Sequence, residues 1–402
     1  LGGKRIFMSS DSSSRNDYPE KSWSDGLLIC FFIVLLWLPT VDFFCGIDHS
    51  QPTGENRLPA PKPELKQLNL TGLQKFITAT EAYFNDHFGF RKGLIRLCQQ
   101  WKANFYQDLS GIPVIKGKNN WLFSAELKMV ENYLGMAKFT PAELKSWQTL
   151  LEKRRDWLAA RGIKYRFIVA PDKHTIYPEE VPDWLIKAAP QNRKTKLDQF
   201  LEYMRANSTV EILDLRPPLL AAKKTAATYL QNDTHWNLFG GFIACQEIVK
   251  NLGEQFPNLP PLKLEDFVWT NTAANGGDLA RFIGLSLAEK NYFTFQPNPT
   301  LPELKTNETA AYKSNWGNKR VSSIFNSQVP EWKIVIFNDS YGRAFQKFFG
   351  YSFQKTVQEW DHHEFCQPLI LSNAPNVVIN EILERFFNTY DPTEMIAKDA
   401  LP

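Results

Sequence analysis

Short apolar strand-like stretches alternate with amphipathic helical segments from Thr140 onward, and that alternation leaves few folds open. Thr140-Pro141-Ala142-Glu143 is a capping box with proline at the first helical position. Leu144, Trp147, Leu150, Leu151 and Trp157 follow at helical spacing until Gly162 stops the helix. Residues 165–170 read as a strand, 194–206 as a helix and 210–215 as a strand. Asn237 stands as the N-cap of a further helix, whose apolar face carries Phe239, Phe242, Ile243, Ile248 and Val249. Residues 333–337, 355–360 and 376–380 are three more strand segments. Strands alternating with helices give a parallel sheet covered on both faces. Ligands in such sheets gather at the carboxyl ends of the strands. Asp172, Lys173, Ser340, Asp361 and Asn380 all fall there.

Asp233-Thr234-His235-Trp236 carries the clearest chemistry. Residues i and i+2 share a face in extended backbone, so the carboxylate can hold one imidazole nitrogen and leave the other free to take a proton. The helix that follows places its positive end near His235, which favours the neutral ring. Ser340 lies in Asn338-Asp339-Ser340-Tyr341-Gly342-Arg343, where a strand hands over to a helix with Ala344, Phe345, Phe348 and Phe349 at helical spacing. A hydroxyl there projects at a sheet's carboxyl edge, beside free backbone N–H groups. It can equally serve as a helix cap. The surroundings are not Gly-x-Ser-x-Gly, and the chain order is Asp, His, Ser; both argue against the α/β-hydrolase elbow.

With their neighbours, these residues resemble the AlgX/AlgJ family of polysaccharide O-acetyltransferases. The likeness includes Glu55-Asn56-Arg57 near Pro61, the run from Tyr83 to Arg91, and Gly117-Lys118-Asn119-Asn120-Trp121-Leu122-Phe123. It continues through Ala170-Pro171-Asp172-Lys173 with Tyr177-Pro178, Gly277-Asp278-Leu279 and Glu381-Ile382-Leu383-Glu384-Arg385. The resemblance implies a three-layer SGNH-hydrolase-like α/β fold, circularly permuted so that Asp-x-His precedes the serine. It implies Ser340 as nucleophile, His235 as base and Asp233 as orienter, with no metal or organic cofactor. It also implies a polysaccharide substrate and a membrane-bound O-acyltransferase partner that supplies acetyl. Asn380 stands about where such enzymes carry an oxyanion-hole asparagine. Tyr341, Lys173 and Arg343 are further candidates for substrate contact, as is His174, whose other reading is surface exposure. Asp339 is expected to fix the serine turn through backbone N–H groups. An esterase with water as acceptor uses the same triad, and a non-catalytic polysaccharide-binding scaffold is a third reading.

The net charge of +3 in 402 residues gives no electrostatic case for nucleic acid. Residues 26–46 are apolar enough to span a bilayer, which takes about 20 residues. They read as an uncleaved anchor, with a cleaved signal peptide as the rival. With the family likeness, this places a single-pass protein in the cell inner membrane with its large domain periplasmic. Cys98, Cys245 and Cys366 are too few and too scattered for a disulfide framework or a zinc site. Asp361-His362-His363-Glu364 is a poor metal site, because adjacent histidines rarely aim at one ion. The expected organisation is a cytoplasmic tail (1–25), the anchor (26–46), a linker and helical region (47–139) and the SGNH-like domain (140–402). Residues 254–330, rich in Pro, Asn, Gly and Thr, read as a loop-rich insertion that serves as a lid, groove wall or small β-rich cap. Asp278 and Arg281 within it are candidates for either polysaccharide contact or a loop salt bridge.

Overall fold

The computed structural model describes residues 23–47, 60–65, 68–91, 93–95, 97, 113–285, 287–314, 317–360 and 365–401, with the backbone alone for 308–320. Glu55-Asn56-Arg57, Cys98 and Asp361-His362-His363-Glu364 lie outside the described residues. The chain forms two compact units, residues 1–98 and 99–402.

The first unit holds α1 (Trp23–Cys45) and α2 (Leu70–His87). α1 has 23 residues, or about 35 Å at 1.5 Å each, enough for a hydrocarbon core of about 30 Å. Its large apolar side chains point outward around the whole helix; Leu28, Phe31, Leu35 and Trp37 are all exposed. A water-soluble helix keeps a polar face, and this one has none over most of its length. Length and composition suit an anchor and a signal sequence alike. Gly46, at a φ of 62°, ends the helix. Asn69 caps α2 by accepting the Gly72 N–H at 2.7 Å.

In the second unit, β1 (Val114–Lys116) and β2 (Leu122–Ser124) form a small ribbon ahead of α3 (Pro141–Ala159). Then come β3 (Lys164–Ala170), α4 (Lys196–Asn207), β4 (Ile212–Asp214), α5 (Leu238–Gly253), β5 (Phe267–Asn275), β6 (Ala288–Pro297), β7 (Lys305–Ser314) and β8 (Gly317–Phe325). The chain closes with β9 (Lys333–Asn338), α6 (Gly342–Phe349), β10 (Lys355–Trp360), α7 (Gln367–Asn373), β11 (Val377–Leu383) and α8 (Pro392–Asp399). The main sheet runs β4-β3-β11-β9-β10-β8-β7, and its first five strands are parallel. Alternation along each strand assigns the two cores. Ile334, Ile336, Val377 and Ile379 pack with Phe242 of α5 and Phe345 of α6. Val335, Phe337, Val378 and Ile382 pack with Trp147 of α3, Phe200 of α4, Ile370 of α7 and Met395 of α8. The result is the expected three-layer α/β architecture.

Local signals hold where the sequence placed them. Thr140 and Glu143 form the capping box of α3, and Asn237 caps α5 by accepting the Gly240 N–H at 2.9 Å. α5 and α6 approach so closely that a Cβ on Gly241 would lie 2.5 Å from the Ala344 Cβ. The loop-rich reading of 254–330 is corrected. β5 and β6 pair as an antiparallel hairpin, and β7 with β8 extends the main sheet antiparallel to β10. Most side chains of β5 face solvent, so only a short apolar alternation, Phe267 and Trp269, marks it as a strand. The strand expected at 376–380 runs on to Leu383.

Candidate active site

The loop that leads into α5, residues 228–237, is built as a narrow return. The Leu230 N–H donates to the His235 carbonyl at 3.1 Å, and the Asn237 N–H to that of Thr228 at 3.0 Å. Asp233 sits at its tip. The Asp233 Oδ1 accepts the His235 backbone N–H at 3.0 Å and lies 2.6 Å from His235 Nδ1. The pair therefore meets through an Asx-type turn, where the spacing alone had suggested extended backbone. Burial of Asp233 pushes its carboxyl up, but the His235 bonds and charge, with the Asp278 N–H, outweigh this and hold it well below the usual range.

Ser340 arrives from the other side, two residues past β9 and two before α6. Its Oγ lies 2.8 Å from His235 Nε2, which completes a hydrogen-bonded chain from Asp233 through His235 to Ser340. Asp339 fixes the turn as expected. Its carboxylate accepts the Tyr341 N–H at 2.9 Å and the Leu383 N–H at 2.8 Å. Its own N–H donates to Glu381 at 3.1 Å. Burial pushes the Asp339 carboxyl up to about 6. Asn338 lies beneath Gly342; a Cβ at Gly342 would meet the Asn338 Nδ2 at 2.0 Å. No acceptor among the described residues reaches the Ser340 backbone N–H.

Two expected substrate contacts, Lys173 and Tyr341, are buried in the framework. Lys173 is buried, and its ammonium donates to the carbonyls of Leu230, Gln231 and Asp233 at 3.1, 3.2 and 2.6 Å. Three donors meet three acceptors, so the side chain staples the Asp233 loop from below. Burial pushes the ammonium down to about 7, against the pull of Asp233, Asp278 and Glu289. Tyr341 is fully buried; its hydroxyl donates to the Thr234 carbonyl and its ring lies 4.9 Å from that of His235. Arg343 is exposed and stacks 3.9 Å over the Trp360 ring.

Asn380 is corrected outright. It lies inside β11, on the face that carries Val378 and Ile382, and its Oδ1 accepts the Tyr165 hydroxyl at 3.0 Å. The serine's side of the sheet belongs to Glu381, one residue on. His174 is buried against Phe123 and Tyr133, which rules out surface exposure; burial pushes its imidazole down to about 3. Cys245 is a buried side chain of α5, as expected.

Two groups escaped the sequence reading. One is a buried acidic layer of Asp172, Asp339, Glu381 and Glu384, with Arg385 Nη1 3.5 Å from Asp172. The other is the contact of Asp278 and Glu289 with the Asp233 loop. Gly277-Asp278-Leu279 was a visible motif, but nothing in the sequence tied it to Asp233. Asp233, His235 and Asp278 offer ligand atoms within 4.8 Å of one another. These atoms are already engaged with the His235 ring, Thr234 and backbone N–H groups, so a cation would have to break the hydrogen-bonded chain.

A mostly parallel sheet between two helical layers, with this Asp, His and Ser at its carboxyl edge, defines an SGNH-hydrolase-like protein. Residues 114–362 match the family described as the SGNH hydrolase-like domain of acetyltransferase AlgX, and the chain belongs to that family. It is 30% identical over 217 residues to the probable alginate O-acetylase AlgJ of Pseudomonas syringae pv. tomato, covering 52% of this chain and 51% of that protein. To the Pseudomonas aeruginosa protein of the same name it is 27% identical over 245 residues, covering 59% and 56%. The chain thus spans about half the length of the curated relatives it matches. Among solved structures, Bacillus cereus PatB1 aligns with a TM-score of 0.51 at 15% identity, covering 70% of this chain and 99% of that one. That likeness concerns the fold alone.

Proposed function

We propose that this chain is a membrane-anchored, extracytoplasmic O-acetyltransferase that moves acetyl groups onto hydroxyls of a cell-surface or secreted polysaccharide. The observation that carries the reading is the hydrogen-bonded chain Asp233–His235–Ser340, at 2.6 and 2.8 Å. Ser340 Oγ attacks the carbonyl carbon of an acetyl donor while its proton passes to His235 Nε2. The tetrahedral intermediate collapses, the donor's alkoxide leaves with the proton from His235, and acetyl-Ser340 remains. A sugar hydroxyl then gives its proton to His235, and its oxygen attacks the acetyl carbon. Ser340 leaves and takes the proton back.

Asp233 keeps the Nδ1–H tautomer, so that Nε2 faces the serine. The Ser340 N–H, which no acceptor among the described residues reaches, would donate to the developing oxyanion, worth about 10²–10³-fold per donor in comparable sites. General-base assistance contributes about 10²–10⁴-fold. α1 would hold the domain at the membrane, and the relatives named as alginate O-acetylases support a polysaccharide acceptor. By the same resemblance, the acetyl supply would come from a membrane-bound O-acyltransferase.

An acetylesterase differs only in the second acceptor. The test supplies a chromogenic acetyl ester with and without oligosaccharides, including alginate fragments, and follows acetyl by mass spectrometry. Acetyl on sugar, lost in Ser340→Ala, supports the transferase. Acetyl released only to water makes the protein an esterase, and no ester turnover at all leaves a scaffold.

A further inference from the structure

The insertion between α5 and β9 reaches into the active site. The chain leaves β5 through a turn at Gly276 and Gly277, at φ of 122° and 111°, backbone that only glycine adopts readily, and a short helix (Asp278–Phe282) follows before β6. A Cβ on Gly277 would stand 2.1 Å from the Asn232 carbonyl oxygen, so this turn lies directly on the loop that bears Asp233. Hydrogen bonds run in both directions. The Asp278 N–H donates to Asp233 Oδ2 at 2.8 Å. The Asp278 carboxylate accepts the Thr234 N–H at 2.7 Å and the Thr234 hydroxyl at 2.5 Å. Glu289, at the start of β6, accepts the N–H groups of Gln231 and Asn232 at 2.9 and 2.8 Å.

Asp233 needs that support. Its Oδ1 holds the imidazole, and rotation of the carboxylate would release the ring. With Oδ2 on the Asp278 N–H and Thr234 gripped by the Asp278 side chain, both the carboxylate and the turn beneath it are locked. We propose that Asp278 is a positioning residue for acyl transfer, delivered by the turn after β5 and acting through Asp233. The inference rests on Ser340 being the nucleophile. Hydrogen bonds that serve only the fold would cost stability whatever residue stands at 233. A positioning residue loses its effect once Asp233 is gone.

The experiment measures the rate at which a sulfonyl fluoride labels Ser340, by intact mass, in the full chain. Asp278→Ala keeps the backbone N–H but frees Thr234, and should slow labelling about 10- to 100-fold, as a misplaced group does. Asp278→Asn keeps one acceptor for Thr234 and should recover most of the rate. In an Asp233→Ala background, Asp278→Ala should change the rate less than about twofold. Unchanged labelling in Asp278→Ala, or an equal loss in both backgrounds, overturns the proposal. Should Asp278→Ala not fold, Thr234→Val removes the hydroxyl bond isosterically and enters the same cycle. Labelling reads the serine alone. A protein that labels in this graded way but transfers no acetyl to sugar refutes the transferase reading and supports this inference; a wild type that never labels removes both.

Discussion

Asp233→Asn separates the charge of the orienting group from its shape. An amide carries one acceptor oxygen and one NH₂, and the two carboxylate positions are not equivalent. At the Oδ1 position the NH₂ would face two donors, the His235 N–H and the ring Nδ1–H, now at 3.0 and 2.6 Å. At the Oδ2 position it would face one, the Asp278 N–H now at 2.8 Å. Each donor left facing a donor costs about 1–3 kcal/mol, so the NH₂ settles at Oδ2. The oxygen then stays on the imidazole, and the productive tautomer survives. What is lost is the attraction between the carboxylate and the imidazolium formed during reaction, about 4 kcal/mol for charges about 4 Å apart at an effective dielectric of about 20. That predicts a rate loss of about a thousand-fold, short of the loss in Ser340→Ala. The one mismatched donor lowers the melting temperature by about 2–4 °C per kcal/mol. The assay is turnover of a chromogenic acetyl ester beside a thermal melt. A loss equal to that of Ser340→Ala would refute the argument for amide orientation, and an unchanged rate would take Asp233 out of the relay.

Ser340→Ala should abolish acetyl transfer while stability falls by no more than about 1 kcal/mol, because the side chain makes one hydrogen bond, to His235; full polymer acetylation in cells carrying it would exclude Ser340 as nucleophile. Burial pushes the Asp172 carboxyl up to about 8, with Glu384 and Asp339 adding to the effect and Arg385 opposing it. The folded state therefore holds a proton that the unfolded chain has released, and the stability tied to that proton fades as pH rises from about 4 to about 8. Asp172→Asn is neutral throughout, so its melting temperature relative to wild type should climb between pH 5 and pH 8; a flat difference would contradict this. Asp399→Ala removes the bidentate partner that Arg154 holds at 2.7 and 3.1 Å, with both side chains 1% exposed. Denaturant melts should show a loss of about 3–5 kcal/mol, much of it recovered when Arg154→Met is added.

Features that depend on chain geometry over a few residues were legible in the sequence. The caps at Thr140 and Asn237 appear where they were read, since a side-chain oxygen reaches an N–H three residues away whatever the rest of the fold does. Asp233 and His235 meet because they stand two positions apart, although the backbone that joins them is a turn. The alternation of strands and helices gave the three-layer sheet, and Ser340 lies after β9 as the apolar run 333–337 required.

Which groups face one another across the fold was settled by packing instead. Ser340 and His235 are 105 residues apart, and only the packing of α5 against α6 closes that gap. Asn380 was misjudged by strand length and parity: β11 runs three residues further, and alternate side chains point to opposite faces, so Asn380 turns to Tyr165 while Glu381 takes the serine's side. Lys173 lies after its strand as expected, yet its ammonium is enclosed by three carbonyls of a loop nearly sixty residues on. β5 carries only a short apolar alternation, Phe267 and Trp269, before its side chains turn to water, and the grip on the Asp233 loop is made by backbone groups and the carboxylates of Asp278 and Glu289. Apolar periodicity records burial against a core. Hydrogen bonds between distant loops leave no period in the sequence, and much of this site is held together by such bonds.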